Sequence, residues 1–208
     1  MPVELASLVR PAHTAVVVQE VQEGVVGAGA GLPALAAAAD EVGMVPAIAR
    51  LLAAGRAAGV RVIHATAETL PDGFGANRNA RLFAGARRAG VLTAAGADAV
   101  RPVAGLGVAD GDLVLPRYFG LSPLGAGPLD GLLRNEGVTT LVVVGVSLNI
   151  AIPHLVFEAV SRSYQVVLPT DAVVGVPVAY GEAVVANSLA LVATRTTTEE
   201  LTAIWAHP

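Results

Sequence analysis

The chain has 208 residues, a formal net charge of −4 and a hydrophobic fraction of 54% that comes mainly from alanine, valine and leucine. This length is enough for one domain with a large buried core, and we expect a single domain over residues 1–208. Cysteine and lysine are both absent from the sequence. Disulfides, a thiolate nucleophile, sulfur-ligated metals and a lysine Schiff base are therefore excluded.

Charge and hydropathy patterning also limit the partners. The sequence has no basic block, so neither a nucleic-acid groove nor contact with an anionic membrane surface is indicated. No apolar run reaches the roughly 18 residues of a membrane span. The first ten residues, MPVELASLVR, lack the basic and then apolar layout of a signal peptide. We expect a cytoplasmic protein that acts on a small molecule.

Glu20 and Gln22 follow the first predicted strand. That strand lies within His13–Val21, where Ala15–Val18 is an apolar run without polar alternation, as in a strand buried on both faces. Both side chains are therefore expected near the carboxyl edge of the sheet. Glu20 belongs either to a site there or to a loop, where it would cap or pair with an arginine.

The next segment separates the first two strands. Residues 24–31 read GVVGAGAG, which lacks the GxGxxG spacing of a dinucleotide-binding loop, so we predict a flexible loop. Residues 32–58 are predicted to be helical with a break near Gly43, because apolar residues recur there at helical spacing.

His64 lies in the second predicted strand, residues 60–65, and points to the same edge of the sheet. A lone strand histidine is either a ligand or a hydrogen-bonded core group. Glu68 and Asp72 follow it without a second histidine, so no metal site is expected.

Arg117 follows the third predicted strand, residues 112–115, after a loop at 68–79 and a basic amphipathic helix at 80–89 whose charge suggests a solvated face. A guanidinium does not exchange protons at neutral pH, so its roles would be electrostatic. It would orient Glu20 or bind a substrate carboxylate through two nitrogens. A surface salt bridge is the alternative.

The run Leu141–Val146 predicts a fourth buried strand, and the segment Ser147-Leu148-Asn149 then leads into a helix over residues 150–160. Pro153 falls in the first turn of this helix, where its missing N–H costs nothing. A fifth strand at 166–168 closes a βαβ unit. The turn at 147–149 therefore lies at the carboxyl end of a strand and the amino end of a helix, where free N–H groups and ligands meet.

After Asp171 the pattern predicts a helix over 179–191, a last strand over 191–195 and a terminal helix from Thr198. This alternation predicts an α/β fold: a Rossmann-like three-layer αβα sandwich around a six-stranded parallel sheet in the order 3-2-1-4-5-6. Polar residues at the strand ends would then converge on one edge: Glu20, His64, Arg117, Ser147, Asn149 and Asp171.

Residues 145–152, GVSLNIAI, with Ala159, Tyr164 and Asp171-Ala172, resemble the signature of the isochorismatase-like hydrolases, also called the cysteine hydrolase superfamily. The strand before Glu20 and Gln22 is similar to the family pattern as well. The stretch after the third strand resembles it more loosely, through Arg117, Phe119, Ser122 and Leu129. The resemblance spans Thr14 to about Trp205.

The resemblance implies a site altered at three catalytic positions. In the family, the residue matching Ala151 is usually the nucleophilic cysteine, an aspartate stands at Glu20 and a lysine at Arg117. Backbone N–H groups around the nucleophile form an oxyanion hole, with a cis peptide just upstream. The substrate-binding residues are expected to be Gln22, His64, Phe119, Ser147 and Asn149. A homodimer or larger homo-oligomer is expected, and no cofactor.

Without a cysteine, hydrolysis would need a route that forms no covalent intermediate. True isochorismatases also lack this cysteine: their aspartate protonates the carbon of a vinyl ether, and water captures the resulting oxocarbenium-like species. We therefore hypothesise a hydrolase of a small anionic, amide or vinyl-ether metabolite, with Glu20 as acid or base, Arg117 as electrostatic anchor and the N–H of Ala151 as donor.

Two alternatives stay open. The chain could be a catalytically silent family member that binds a metabolite or a protein partner through the same pocket. A nucleophilic serine, Ser147 or Ser122, is the other. It has less support, because the sequence contains no GxSxG elbow.

Overall fold

A seven-stranded sheet in which every pairing is parallel forms the centre of the computed structural model, which describes residues 4–91, 93–94 and 96–207. The strands are β1 (Thr14–Gln19), β2 (Arg61–Ala67), β3 (Leu113–Arg117), β4 (Thr140–Val146), β5 (Gln165–Pro169), β6 (Val173–Val174) and β7 (Thr194–Thr196). Their spatial order is β3-β2-β1-β4-β5-β7, which confirms the predicted order for the six main strands.

The extra strand β6 was not predicted. β5 pairs with the first part of β4, Thr140–Val142, and leaves the end of β4 open on that side. Val173 and Val174 fill the gap by pairing with Gly145 and Val146. Two residues are too few to give a strand pattern in the sequence.

The helices in the part of the chain that the structure describes are α1 (Leu5–Leu8), α2 (Glu23–Val26), α3 (Pro33–Glu41), α4 (Met44–Ala57), α5 (Arg81–Arg88), α6 (Leu129–Asn135), α7 (Ala151–Ser161), α8 (Val178–Asn187) and α9 (Thr198–Trp205). Six of these nine, α3, α4, α5, α7, α8 and α9, lie in segments predicted to be helical, with small shifts of their ends. The other three, α1, α2 and α6, were not predicted, and α2 begins the segment that was predicted to be a flexible loop. Gly43, at φ 63°, separates α3 from α4 and confirms the predicted break. None of the helices in the described ranges is both long and apolar enough to cross a bilayer.

Each face of the sheet is covered by helices, which makes the predicted three layers. On one face, Val16, Val18, Val142 and Val144 share a core cluster with side chains of α4 and α9, including Ile48, Leu51 and Trp205. On the other face, Ala15, Val17, Leu141 and Val143 share a second cluster with side chains of α6 and α7, including Leu129, Ile152 and Leu155. The uninterrupted apolar runs of β1 and β4 reflect this burial on both sides.

The pairing register places the end of β1 beside the end of β4. Gln19 lies opposite Gly145, so Glu20, the first residue after β1, lies beside Val146, the last residue of β4. Gly145 has φ 109°, and a Cβ at this position would lie 2.2 Å from the carbonyl oxygen of Gln19. A glycine is therefore required where the two strands approach each other below the site.

We expect Gly145→Ala to lower the free energy of unfolding by about 3 kcal/mol or more, because the methyl group meets backbone in a conformation that alanine rarely adopts. Gly85→Ala is the matched control, since a Cβ there meets nothing within 4 Å in α5. It should stabilise the protein by about 0.5–1 kcal/mol. Urea unfolding of both variants checks this, and a Gly145→Ala protein as stable as wild type would contradict it.

Candidate active site

An ion pair between Glu20 and Arg117 joins the carboxyl ends of β1 and β3. The two side chains are in direct contact through Oε1 of Glu20 and a terminal nitrogen of Arg117, and they are 19% and 8% exposed. Glu20 has φ 54°, a left-handed conformation that is uncommon for residues other than glycine and often occurs at functional sites. Its N–H donates to the carbonyl of Ala65 in the intervening strand β2, at 2.9 Å.

Other contacts hold both members of the pair. The Nε2 of Gln19 donates to Oε1 of Glu20 at 2.8 Å. The second terminal nitrogen of Arg117 donates to the carbonyl of Gly120 and makes a longer 3.5 Å contact with that of Phe119. Arg117 is therefore engaged at both ends of its guanidinium, while no partner for Oε2 of Glu20 is found in the described part of the chain.

The turn between β4 and α7 forms the other side of the site. The peptide between Val146 and Ser147 is cis, as the resemblance implied. The carbonyl of Ser147 accepts hydrogen bonds from the N–H groups of Ile150 and Ile152, at 3.3 and 3.0 Å. Between them, the N–H of Ala151 has no acceptor among the described residues. A free backbone donor thus lies at the amino end of α7, where it can stabilise developing negative charge.

These groups line a cavity of about 160 Å³. Five of the predicted site residues line this cavity: Glu20, Arg117, Ser147, Asn149 and Ala151. Asn149 also has a structural task. Its carboxamide accepts from the N–H of Val176 at 2.8 Å and donates to the carbonyl of the same residue at 2.6 Å. Ala151 is the first residue of α7 and has only a methyl group where the family carries its nucleophile.

Two predicted substrate-binding residues near the pair do not line this cavity. Gln22 is fully buried, and its carboxamide bridges the N–H and the carbonyl of Ala67 at 2.8 and 3.0 Å. It fastens the end of β2 and has no atom left for a substrate. Phe119 lies on a small recess beyond Arg117, and its ring is half exposed.

The prediction that His64 and Asp171 converge with Glu20 is wrong. His64 lies lower in β2 and contacts Asp112. Asp171 accepts from the N–H and the hydroxyl of Thr198, so it caps α9. Ser122, considered as a nucleophile, is also outside the cavity: it is buried, and its hydroxyl accepts from the N–H of Leu124.

His64 belongs to a buried polar cluster with Asp112 and Arg56. Its Nε2 lies 3.0 Å from Oδ2 of Asp112, whose two oxygens also accept from Arg56 at 3.0 and 2.6 Å. Burial lowers the pKa of His64, although the hydrogen bond and charge of Asp112 act in the opposite direction. Burial would raise the pKa of Asp112, but hydrogen bonds from Arg56, His64 and the N–H of Ala109 hold it down to about 2.

Most of the cavity wall was not predicted. It consists of apolar side chains from α2, the start of α3, α5 and the segment after it: Val25, Leu32, Leu35, Leu82, Phe83, Ala86 and Val91. The basic helix was interpreted as a solvated face, yet Leu82, Phe83 and Ala86 form an apolar strip on it. The helical spacing of these three apolar residues in the sequence could have predicted that this side of α5 packs against a cavity or core. Glu68, which lies with Arg117 on the small recess, was also missed as a site neighbour.

No group of three or more potential metal-ligating side chains occurs within residues 4–91, 93–94 and 96–207. The carboxylate of Glu20 accepts hydrogen bonds from Arg117 and Gln19. The arrangement therefore offers a carboxyl group, a guanidinium that orients it and a backbone donor, which together suit proton transfer to or from a small molecule.

A parallel α/β sheet with a cavity at the carboxyl ends of its strands defines a Rossmann-like scaffold. The sequence pattern of the isochorismatase domain matches residues 14–200, and the chain therefore belongs to the isochorismatase family.

Solved structures agree with this assignment. A cysteine hydrolase from Pseudomonas syringae pv. phaseolicola is 25% identical, with a TM-score of 0.81 over 96% of this chain and 95% of that chain. An isochorismatase family protein from Desulfovibrio vulgaris is 30% identical, with a TM-score of 0.76 over 93% and 98%. An N-carbamoylsarcosine amidase from Thermoplasma acidophilum, 23% identical with a TM-score of 0.68 over 90% and 97%, shares the fold. Comparison with functionally curated proteins finds no significant match.

The histidine cluster predicts a specific pH dependence of stability. In the unfolded chain His64 takes up a proton near pH 6.5, whereas the folded state resists protonation until a lower pH. The free energy of unfolding should therefore fall as pH drops below about 6.5, by up to about 1.4 kcal/mol per pH unit from this residue. Asp112 adds a further loss between pH 3.8 and about 2.

Unfolding free energies measured by urea from pH 7.5 to 5 test this dependence. His64→Gln should flatten the profile, because a carboxamide donates to Asp112 without titrating. His154→Gln, a change on the exposed side of α7, is the control and should keep the wild-type slope. Equal slopes in wild type and His64→Gln would show that the cluster does not have the assigned role.

Proposed function

We propose that this isochorismatase-family protein is a hydrolase that cleaves a small amide or vinyl-ether metabolite, anionic or uncharged, by acid–base chemistry without a covalent intermediate. The observation that carries the proposal is the Glu20–Arg117 pair on the wall of a cavity that also contains the free N–H of Ala151. The methyl group of Ala151 cannot attack a substrate, and in this proposal a water molecule is the nucleophile.

The contacts of Glu20 support its role as the proton-transferring group. Arg117 and Gln19 both donate to Oε1, which fixes the carboxyl group in one orientation. The second oxygen is left for exchange of a proton with a substrate or water. A positioned carboxylic acid contributes typically 10²–10⁴-fold to the rate of such reactions.

For a vinyl ether, Glu20 donates its proton to the vinyl carbon, and the electron pair of the double bond forms the new C–H bond. The resulting oxocarbenium-like cation is captured by water. The water loses a proton to the Glu20 carboxylate, which leaves a hemiketal. As the C–O bond to the leaving group breaks, the proton of the hemiketal hydroxyl passes to the departing oxygen, which gives an alcohol and a carbonyl compound. The acid is regenerated, and every proton is accounted for.

For an amide, Glu20 begins as the base. It takes a proton from water as the oxygen attacks the carbonyl carbon, and the oxyanion accepts a hydrogen bond from the N–H of Ala151. Glu20 then returns the proton to the leaving nitrogen as the C–N bond breaks. Arg117 holds the carboxylate in place through both steps and exchanges no proton.

Three further expectations remain proposals. We propose one isochorismatase-like domain over residues 1–208, a cytoplasmic location and a homodimer or larger homo-oligomer. The oligomer is supported by the family resemblance and by the half-exposed side chains of Ile150 and Phe157 at α7.

We expect Glu20→Gln to reduce kcat/KM at least 100-fold on whichever amide or vinyl ether the wild type hydrolyses, because the carboxamide side chain of glutamine cannot transfer the proton. Product release from a panel of both compound classes, followed by NMR, measures the effect. The variant also leaves the mostly buried Arg117 without its counter-charge, which should cost about 1–3 kcal/mol of stability.

The double variant Glu20→Gln with Arg117→Met separates stability from catalysis. Removing the unpaired cation should restore part of the lost stability but no turnover. Undiminished activity of folded Glu20→Gln would rule out the proposed mechanism. Binding of panel compounds to wild type without any chemical change would favour the silent, ligand-binding alternative instead.

A further inference from the structure

The charges on the cavity wall balance each other. Among the described residues that line it, Glu20 and Arg117 carry the formal charges, one of each sign and in direct contact. Both terminal nitrogens of Arg117 already donate to Glu20 or to backbone carbonyls. A substrate carboxylate would have to displace one of these acceptors from a side chain that is 8% exposed. An anion therefore gains little from this arginine.

The remaining hydrogen-bonding groups lie together with the ion pair and the turn after β4. They are Oε2 of Glu20, the hydroxyl of Ser147 and the N–H of Ala151. The carboxamide of Asn149 is occupied by the backbone of Val176. The parts of the wall contributed by α2, α3 and α5 are apolar throughout. The cavity therefore has one polar part, where the reaction takes place, and an apolar remainder.

The size of the cavity and the side chains at its opening further limit the class of ligand. A volume of about 160 Å³ holds about five waters, or a substrate of roughly five to eight non-hydrogen atoms. Three of the large apolar side chains that line the cavity are more than one-third exposed, Leu32 at 37%, Leu82 at 45% and Ile150 at 43%. They form an apolar rim, and a bound apolar group would remove part of their surface from water.

We infer that the substrate is an uncharged molecule with a short aliphatic body, which packs against α3 and α5 while its amide or vinyl-ether group lies against Glu20, Ser147 and Ala151. This inference rests on the proposed function for the reacting group, but the preference for an uncharged aliphatic body follows from the walls alone. Arg117 then serves to position Glu20 and does not bind the substrate.

A homologous series tests the inference on the full-length protein. Primary alkanamides from propanamide to hexanamide, and alkyl vinyl ethers of matched length, are compared with amides that end in a carboxylate, malonamate and succinamate, which have as many non-hydrogen atoms as pentanamide and hexanamide. We expect kcat/KM to rise about threefold to fourfold per added methylene until the cavity is full. The carboxylate-bearing compounds should react at least tenfold more slowly than neutral compounds of equal length.

Leu82→Arg provides a test by gain of function. Leu82 lies on the apolar wall outside the proposed catalytic groups, and an arginine there should raise the ratio of carboxylate-bearing to neutral turnover at least tenfold. Leu132→Arg is the matched control, because Leu132 is 42% exposed on α6 and does not line this cavity. It should leave the ratio unchanged. A wild-type preference for the carboxylates, or rates independent of chain length, would overturn the inference.

A binding measurement separates this inference from the proposed function. The same compounds at millimolar concentration should raise Tm in proportion to the length of the neutral chain, in wild type and in Glu20→Gln alike. Length-dependent protection without turnover would refute the hydrolase and keep the apolar ligand class. Turnover with a preference for carboxylate-bearing compounds would support the hydrolase and refute the apolar ligand class. If neither the neutral nor the carboxylate-bearing compounds raise Tm, the ligand assignment is refuted.

Discussion

The site depends on one contact, between the carboxylate of Glu20 and the guanidinium of Arg117. Glu20 follows β1 and Arg117 is the last residue of β3, and these strands are not neighbours in the sheet, because β2 lies between them. The side chain of Arg117 reaches Glu20 past the end of β2. The backbone there is fixed by hydrogen bonds: the carboxamide of Gln22 bonds to the N–H and carbonyl of Ala67, and the N–H of Glu20 donates to the carbonyl of Ala65. A mostly buried ion pair is weak evidence for stability, because desolvation offsets much of its attraction. Its place on a cavity wall suits a function better than a structural role.

The chain lacks the cysteine nucleophile that the family resemblance implies, yet it keeps the scaffold of the family. The donor at Ala151 belongs to the backbone, so it survives the replacement of the side chain, and the turn after β4 keeps its cis peptide and its bonds from the Ser147 carbonyl. What remains is a carboxyl group with one oxygen held and the other available, beside a backbone donor. The longer Glu20, in place of the family's aspartate, and the longer Arg117, in place of its lysine, still meet directly.

The polar cluster around Asp112 shows why a histidine at the predicted depth in β2 does not reach the site. Asp112 directly precedes β3, and Arg56 lies in the last turn of α4, so both lie toward the edge opposite the cavity. Each side chain in β2 points to one face of the sheet, and His64 shares the α4 face with Val62. There it is satisfied by Asp112 and shielded from solvent, which is the core-histidine alternative that the sequence left open.

The sequence by itself determined the strand order, the family and the loss of the nucleophile, because these follow from apolar runs, their crossovers and one motif within a short stretch of chain. It also placed Glu20, Arg117 and Ala151 at the ends of the elements where they lie. The tertiary structure alone decided which polar groups are available to a ligand in the cavity, since the side chains of Gln22, Asn149 and Asp171 are engaged by groups 27 to 45 residues away. It also decided that α5 faces the cavity with its apolar strip. Hydrogen-bond partners and cavity-lining residues that come from distant segments leave no local pattern in the sequence, because only the packing of the folded chain brings them together.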